Sequence, residues 1–306
     1  MRFISGLLFI SILLIKMSLD KDSEEFANSG QNEEPLFSFG IIADVQYADK
    51  EPAGTRYYRS SITKLREAIS AFKQDSVDFV ITLGDLIDQD IRSYNPLLNI
   101  MDSSGLKFYH VSGNHDYSVD PAYIEKLPEV YIQKPGYFAI THKNFRFIFI
   151  NGNEISTYSN KNKSNIKEAE TLLDSIKKRG EQNAVEWNGA VSKKQLIWLD
   201  KQINKASLKN SKVILICHFP VFPENIHNLL NYKDVLSVME KYNNCLAWFN
   251  GHNHAGNYGK INKTHFVTFK GMVETENQNS FARVDVYSNK IWIIGSGREK
   301  IRKLAE

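Results

Sequence analysis

Cysteine is nearly absent from this sequence. The two that occur, Cys217 and Cys245, lie in or beside apolar runs typical of strands. Such positions predict buried thiols that pack as small apolar side chains. Two cysteines of this kind indicate nothing about the redox compartment of the protein.

Blocks of like charge are also missing. The chain has 38 Lys and Arg residues against 35 Asp and Glu residues, a net charge of +3, and no basic run interleaved with aromatic residues. A protein that follows a polynucleotide backbone needs an extended basic groove. The charge pattern therefore favours no nucleic acid as a partner, whereas small anionic substrates remain compatible with it.

Long apolar runs are limited to one, at residues 3–15, between Arg2 and Lys16. Thirteen residues are too few to span a bilayer comfortably and suit the apolar region of a secretory signal peptide. No Ala-x-Ala cleavage site follows, and no cysteine lies where a lipoprotein is acylated. We expect residues 1–19 to be a signal peptide of an exported, periplasmic or extracellular protein. The alternatives are an uncleaved anchor, which would be the only membrane contact, and a cytoplasmic protein.

The rest of the chain has ordinary globular composition, with 42% hydrophobic and 24% charged residues, which argues against general disorder and against a multispanning membrane protein. Residues 20–35 have the polar composition of a linker, and residues 36–306 are predicted to form a single domain, expected to be a monomer. Residues 57–72 have apolar positions at helical spacing between two apolar strand candidates, which predicts a β-α-β unit. Ser192 and Gln195 have the spacing of a capping box at a later helix. The final strands follow one another as hairpins, so an α/β fold with mixed sheets is expected.

Polar residues follow the first predicted strand in GIIADVQYAD, where Asp44 and Gln46 are two residues apart. Alternate residues of a strand share a face, so two oxygen donors point into one pocket as the chain leaves the sheet. The alternative interpretation is a turn residue beside a solvated amide.

Four further strand candidates end in the same way. Their polar exits supply Asp85, Asn114 with His115, His218, and the pair His252 and His254. Each motif alone is more often structural than functional. In open α/β sheets, however, ligands bind beyond the carboxyl ends of the strands, so the ordered set predicts one metal-binding cleft.

These motifs, in this order, resemble those of the calcineurin-like metallophosphoesterases, most of which have His in place of Gln46. The variant DVQYAD, together with RYYRSS, WNGAVSKKQLIWLD, GHNHAGNY, GMVETEN and SGRE, is similar to one subfamily, the manganese-dependent ADP-ribose/CDP-alcohol diphosphatases. The similarity extends from about residue 36 to residue 302. It implies a four-layer α-β-β-α sandwich with mixed sheets.

The resemblance also implies two divalent metal ions that share Asp85. One ion would be completed by Asp44, Gln46 and His254, and the other by Asn114, His218 and His252. A donor set of carboxylate, amide and imidazole without thiolate favours Mn²⁺, with Fe²⁺ or Zn²⁺ as alternatives. Two such ions supply a metal-bound hydroxide at neutral pH, so no covalent phosphoenzyme is expected.

Three more residues are predicted to act on the substrate. His115 is placed to protonate the leaving oxygen, and Asp88 resembles the family's partner that orients this imidazole, with a turn or cap role as the alternative. Arg56 is the candidate for binding a second phosphoryl group, because a guanidinium matches two phosphate oxygens; otherwise it is a surface residue at the start of a helix.

The sequence thus predicts a metal-dependent hydrolase that splits the diphosphate linkage of small nucleotides such as ADP-ribose or CDP-alcohols into a nucleoside monophosphate and a phosphorylated product. The alternatives on the same fold are a cyclic nucleotide phosphodiesterase and a phosphomonoesterase. A binding protein without turnover is disfavoured, because every predicted ligand and His115 are present.

Overall fold

The computed structural model describes residues 22–26, 33–127, 136–159 and 162–305. Residues 22–26, inside the predicted linker, form a helical turn, and the ring of Phe26 meets Trp292 edge-on with the ring centroids 5.2 Å apart. The predicted signal peptide or anchor at residues 1–19 lies outside the described residues. Within the described ranges, no helix combines the length and the apolar character needed to cross a bilayer.

The first sheet contains six strands in the order β12-β11-β10-β1-β2-β3. Strands β1, β2 and β3 run parallel to one another. Strand β10 pairs antiparallel with β1, and β10, β11 and β12 follow one another as antiparallel hairpins. Their bounds are Phe37–Ile42 (β1), Phe79–Thr82 (β2), Phe108–His110 (β3), Ser280–Val286 (β10), Lys290–Gly297 (β11) and Arg302–Ala305 (β12).

The second sheet also contains six strands, in the order β4-β5-β6-β7-β9-β8. Strands β5, β6, β7 and β9 run parallel, and β4 and β8 are antiparallel edge strands. Their bounds are Phe138–His142 (β4), Phe145–Phe149 (β5), Lys212–Ile216 (β6), Cys245–Asn250 (β7), Asn257–Ile261 (β8) and Thr264–Thr268 (β9).

Among the described residues, four helices cover the outer faces of the two sheets and a fifth lies outside them. Helices α1 and α2 share an apolar cluster with the first sheet, and α4 and α5 share one with the second. Helix α3 packs into a small cluster of its own, as expected for a surface insertion. The bounds are Ser61–Gln74 (α1), Tyr94–Ser104 (α2), Lys163–Lys178 (α3), Lys193–Ser207 (α4) and Tyr232–Met239 (α5).

Aromatic side chains fill the space between the two sheets. Phe39 and Phe79 of the first sheet stack on each other, and Phe147 of the second sheet meets each of them edge-on with ring centroids 5.4 Å apart. All three side chains are buried. The sheets therefore pack face to face with helices outside, which confirms the predicted four-layer α-β-β-α sandwich.

Two local predictions concern α4 and the cysteines. The Oγ of Ser192 accepts a hydrogen bond from the backbone N–H of Gln195 at 3.1 Å and caps α4, as predicted. The reciprocal bond of a capping box does not form, because the backbone N–H of Ser192 donates to Oε2 of Glu154 at 3.1 Å instead. Cys217 and Cys245 are both buried free thiols.

The packing at Gly40 gives a test of the core. A Cβ atom at this position in β1 would lie 2.7 Å from the ring of the fully buried Phe72. Overpacking of this kind costs about 1–3 kcal/mol, more than the roughly 0.4–1 kcal/mol that Ala gains from a stiffer unfolded chain. We expect Gly40→Ala to lower the urea midpoint at unchanged slope, whereas Leu208→Ala at an exposed position leaves it within experimental error. An unchanged midpoint for Gly40→Ala would show that the ring moves aside freely.

Candidate metal centre

The loops that follow β1, β2, β3, β6 and β7 meet at one edge of the sandwich. Because these strands are parallel within their sheets, their carboxyl ends lie on the same side. The structure brings together all seven side chains predicted as ligands: Asp44, Gln46, Asp85, Asn114, His218, His252 and His254.

One half of the cluster surrounds Gln46. Its Nε2 lies 3.1 Å from Oδ2 of Asp85 and 3.2 Å from Nε2 of His254. The Nε2 of His254 is also 3.5 Å from Oδ1 of Asp44. Ligand atoms of Asp44, Asp85 and His254 all lie within 4.8 Å of one another. This half matches the first predicted ligand set.

The other half surrounds His218. Its Nε2 lies 3.2 Å from Oδ1 of Asn114, 3.1 Å from Nδ1 of His252 and 3.4 Å from Oδ2 of Asp85. Ligand atoms of Asp85, His218 and His252 again lie within 4.8 Å of one another. Asp85 therefore belongs to both halves, as a carboxylate that bridges two cations must.

The backbone at these positions is unusual. Asp44, Gln46, Asp85 and His252 have φ values of 50°, 42°, 52° and 68°, in the left-handed region that L-residues seldom adopt. Such strain collects at functional sites, where the surrounding fold enforces it. Close packing adds a further constraint, because a Cβ atom on Gly113 would lie 2.0 Å from Oδ1 of Asp85.

The ionisable groups of the cluster shift one another's pKa values. Burial opposes ionisation of Asp85, but the His218 and His115 imidazoles outweigh it and hold the Asp85 pKa well below its usual range. Burial likewise opposes protonation of His218 and His254, yet Asp85 and Asp44 raise the pKa of each imidazole to about 9. The same carboxylates that favour protonated imidazoles at His218 and His254 would favour bound cations.

The residues present fit divalent metal ions. The Oε1 of Gln46 is buried and has no hydrogen-bond partner among the described residues. A buried polar atom without a partner is costly, and a cation would provide one. The carboxylate, amide and imidazole donors would hold two ions, with Asp85 between them.

Three further groups orient the imidazoles. Nδ1 of His254 pairs with Oε1 of Glu274 at 2.7 Å, and Nδ1 of His218 lies 2.7 Å from the carbonyl oxygen of Leu83. Nε2 of His252 lies 3.0 Å from Oδ1 of Asn188. Such contacts fix the tautomer of a ligand imidazole and raise its basicity. The sequence analysis missed Glu274 and Asn188, although both lie in segments on which the family resemblance rests.

The predicted catalytic residues lie at the rim of the cluster. Nδ1 of His115 is 3.1 Å from Oδ1 of Asp88, and Nη1 of Arg56 is 3.5 Å from Nε2 of His115. The other oxygen of Asp88 pairs with Nζ of Lys50 at 2.6 Å, a contact that the sequence analysis did not anticipate. His227, also unanticipated, places its ring edge-on to His252 with the centroids 5.2 Å apart.

The two mixed sheets and the shared donor set define a metal-dependent phosphohydrolase. The profile of the calcineurin-like phosphoesterases matches residues 37–256, and the chain belongs to that family. This membership confirms the resemblance inferred from the motifs.

Relatives and solved structures are similar over nearly the whole chain. The chain is 30% identical to the manganese-dependent ADP-ribose/CDP-alcohol diphosphatase of Xenopus laevis, covering 92% of this chain and 94% of the relative. It is also 30% identical to the protein of that name from Arabidopsis thaliana, covering 87% and 96%. A dimetal phosphatase crystal structure from Danio rerio superposes with a TM-score of 0.82 at 25% identity, covering 89% and 99%.

The raised pKa values of His218 and His254 predict the pH dependence of metal binding. A metal ligand must be a neutral imidazole, so below pH 9 each of these two residues gives up a proton when its metal binds. Affinity for Mn²⁺ should rise between pH 6 and pH 8, with about two protons released per protein at pH 7. Calorimetric titration in two buffers of different ionisation enthalpy measures this number. A release close to zero at pH 7 would contradict the assignment.

Proposed function

We propose that this protein hydrolyses the diphosphate linkage of small nucleotides such as ADP-ribose or CDP-alcohols, and releases a nucleoside monophosphate and a phosphorylated remainder. The observation that carries the proposal is the position of Arg56 beside His115, at the rim of the cluster. A guanidinium there gives a second phosphoryl group a partner that the metal ligands do not provide. The names of the relatives support the same substrate class.

The metal-ligand residues would hold two ions, for which we propose Mn²⁺. When bound, these ions polarise the phosphoryl oxygens and lower the pKa of water, so that hydrolysis proceeds without a covalent intermediate. The chain's own contribution to the chemistry lies in His115 and Arg56.

His115 is the proposed general acid. Its Nδ1 is paired with Asp88, so the ring is oriented with Nε2 toward Arg56 and the rim of the cluster. The backbone N–H of His115 also donates to Oδ1 of Asp85 at 2.8 Å, which fixes the residue relative to the shared carboxylate. These contacts support Nε2 as the atom that would protonate the leaving oxygen once the substrate separates it from Arg56.

Arg56 is held by its backbone. Its backbone N–H and C=O pair with those of Ala53 at 3.1 Å. Its backbone also forms an isolated antiparallel β-bridge with Glu274, the residue that orients His254. One chain segment thus fixes the backbone of Arg56 relative to a proposed metal ligand. A guanidinium held near the metal ligands would favour a diphosphate over a monoester.

The first test is a substrate panel with Arg56→Ala. The Mn²⁺-loaded wild type should prefer ADP-ribose or CDP-choline to p-nitrophenyl phosphate in kcat/KM, yield AMP or CMP, and lose activity on chelation. Arg56→Ala should narrow that preference by lowering the diphosphate value alone, because only that substrate loses a charge-assisted contact. Arg92→Ala, at an exposed arginine paired with Asp90, is the matched control.

Two outcomes would overturn the substrate assignment while leaving a two-metal phosphoesterase. One is more efficient release of inorganic phosphate from monoesters than hydrolysis of diphosphates. The other is a preference for cyclic AMP.

The second test separates acid catalysis from metal binding. His115→Ala should reduce the rate by about 10² to 10⁴ on a substrate with a poor leaving group. The deficit should shrink on a p-nitrophenyl ester, whose leaving group needs no proton, while metal content measured by elemental analysis stays constant. Equal deficits on both substrates, or loss of metal, would exclude the acid role.

A further inference from the structure

A lysine is buried under the metal centre. Lys64, on α1, is 4% exposed, and its Nζ donates to the carbonyl oxygens of Met272 at 2.9 Å, Glu274 at 3.0 Å and Thr275 at 2.5 Å. A lysine ammonium has three N–H donors, and all three are used by these carbonyl oxygens. None is left to bind a substrate. Burial lowers the pKa of Lys64 to about 8, so the ammonium is charged at neutral pH.

The three acceptors belong to one short stretch, residues 272–275, here called the 272–275 segment. In the described part of the chain, Lys64 donates to all three of these carbonyl oxygens. The segment itself forms no regular strand among the described residues. Thr275 has a left-handed φ of 62°. Three carbonyl dipoles converging on one point repel each other unless a cation lies between them.

The 272–275 segment touches both parts of the proposed site. Its Val273 N–H donates to the carbonyl of Asp44 at 3.0 Å, and its Glu274 carboxylate pairs with His254 at 2.7 Å. On the other side, Val273 accepts from the N–H of Tyr57 at 2.9 Å, next to Arg56. The segment therefore links two proposed metal ligands, Asp44 through its backbone and His254 through the Glu274 side chain, to the residue next to Arg56.

Burying an ammonium costs desolvation energy, which the three hydrogen bonds from Nζ offset. Removing the ammonium would leave three carbonyl oxygens without this donor, so the 272–275 segment would have to rearrange.

We propose that Lys64 is a positioning residue, which fixes the 272–275 segment and thereby sets both the orientation of His254 and the placement of Arg56. It acts through these two residues and touches neither metal nor substrate. The part that concerns Arg56 rests on the proposed function, whereas the part that concerns His254 does not.

The first experiment measures Mn²⁺ binding to folded protein by electron paramagnetic resonance. In Lys64→Met, which keeps the length of the stem without the charge, one of the two sites should lose affinity on the order of 10-fold, as when partners of ligand imidazoles are disturbed. Lys64→Arg keeps the charge with a different donor geometry and should fall between wild type and Lys64→Met.

Lys212→Met is the matched control. Lys212 is half-buried, and like Lys64 it donates from Nζ to a backbone carbonyl, that of Ser288 in the turn between β10 and β11. Its replacement should leave Mn²⁺ affinity unchanged. Affinities within twofold of wild type in folded Lys64→Met, or an equal loss in Lys212→Met, would overturn the proposal. If Lys64→Met does not fold, wild-type affinity and substrate preference in Lys64→Arg would overturn it instead.

The second experiment tests the link to Arg56. Lys64→Met should narrow the preference for ADP-ribose over p-nitrophenyl phosphate, and the same change in Arg56→Ala should narrow it no further, because residues that act as one unit are not additive. If Lys64→Met and Arg56→Ala reduced the substrate preference additively in the double variant, the proposed link between Lys64 and Arg56 would be wrong. If wild type shows no diphosphate preference, the proposed function fails, and the Mn²⁺ affinities still decide the role of Lys64 at His254.

Discussion

The metal centre depends on one constraint, namely that the carboxyl edges of two separate sheets meet. Asp44, Asp85 and Asn114 follow strands of the first sheet, whereas His218 and His252 follow strands of the second. Neither sheet alone supplies a complete donor set. The aromatic layer between the sheets therefore fixes the distances among the ligands as well as stabilising the fold, since a close-packed interior transmits small displacements.

Asp116 stabilises the loops of the first sheet that carry metal ligands. Its buried carboxylate accepts hydrogen bonds from the backbone N–H groups of Asp85 and Gly113, at 2.9 and 2.8 Å, and from the hydroxyl of Tyr94 at 2.8 Å. These contacts tie the loop after β2 to the loop after β3. Burial, together with the charge of Asp85, raises the pKa of Asp116 to about 6. Asp116 thus belongs to the scaffold, although it follows His115 directly in the GNHD motif.

Local signals in the sequence predicted the mixed α/β class and the members of the cluster, whereas the four-layer arrangement of the sheets was expected from the family resemblance. Apolar runs with polar exits identify strands and their carboxyl ends, and helical spacing identified α1. Glu274, Asn188 and Lys64 carry no such signal. Each acts through a contact with a residue that only the folded chain brings near, and a glutamate or lysine in a loop or helix is ordinarily a solvated side chain. The helical turn at residues 22–26 is too short to show a periodicity.

The left-handed backbone at Asp44, Gln46, Asp85 and His252 has a consequence for the stability of the fold. These residues hold strained conformations and crowd polar atoms together, so the metal-free fold keeps its donors at a conformational cost. Ions that bind the folded chain and not the unfolded one offset this cost by mass action. Divalent metal would therefore raise the free energy of unfolding as well as enable turnover.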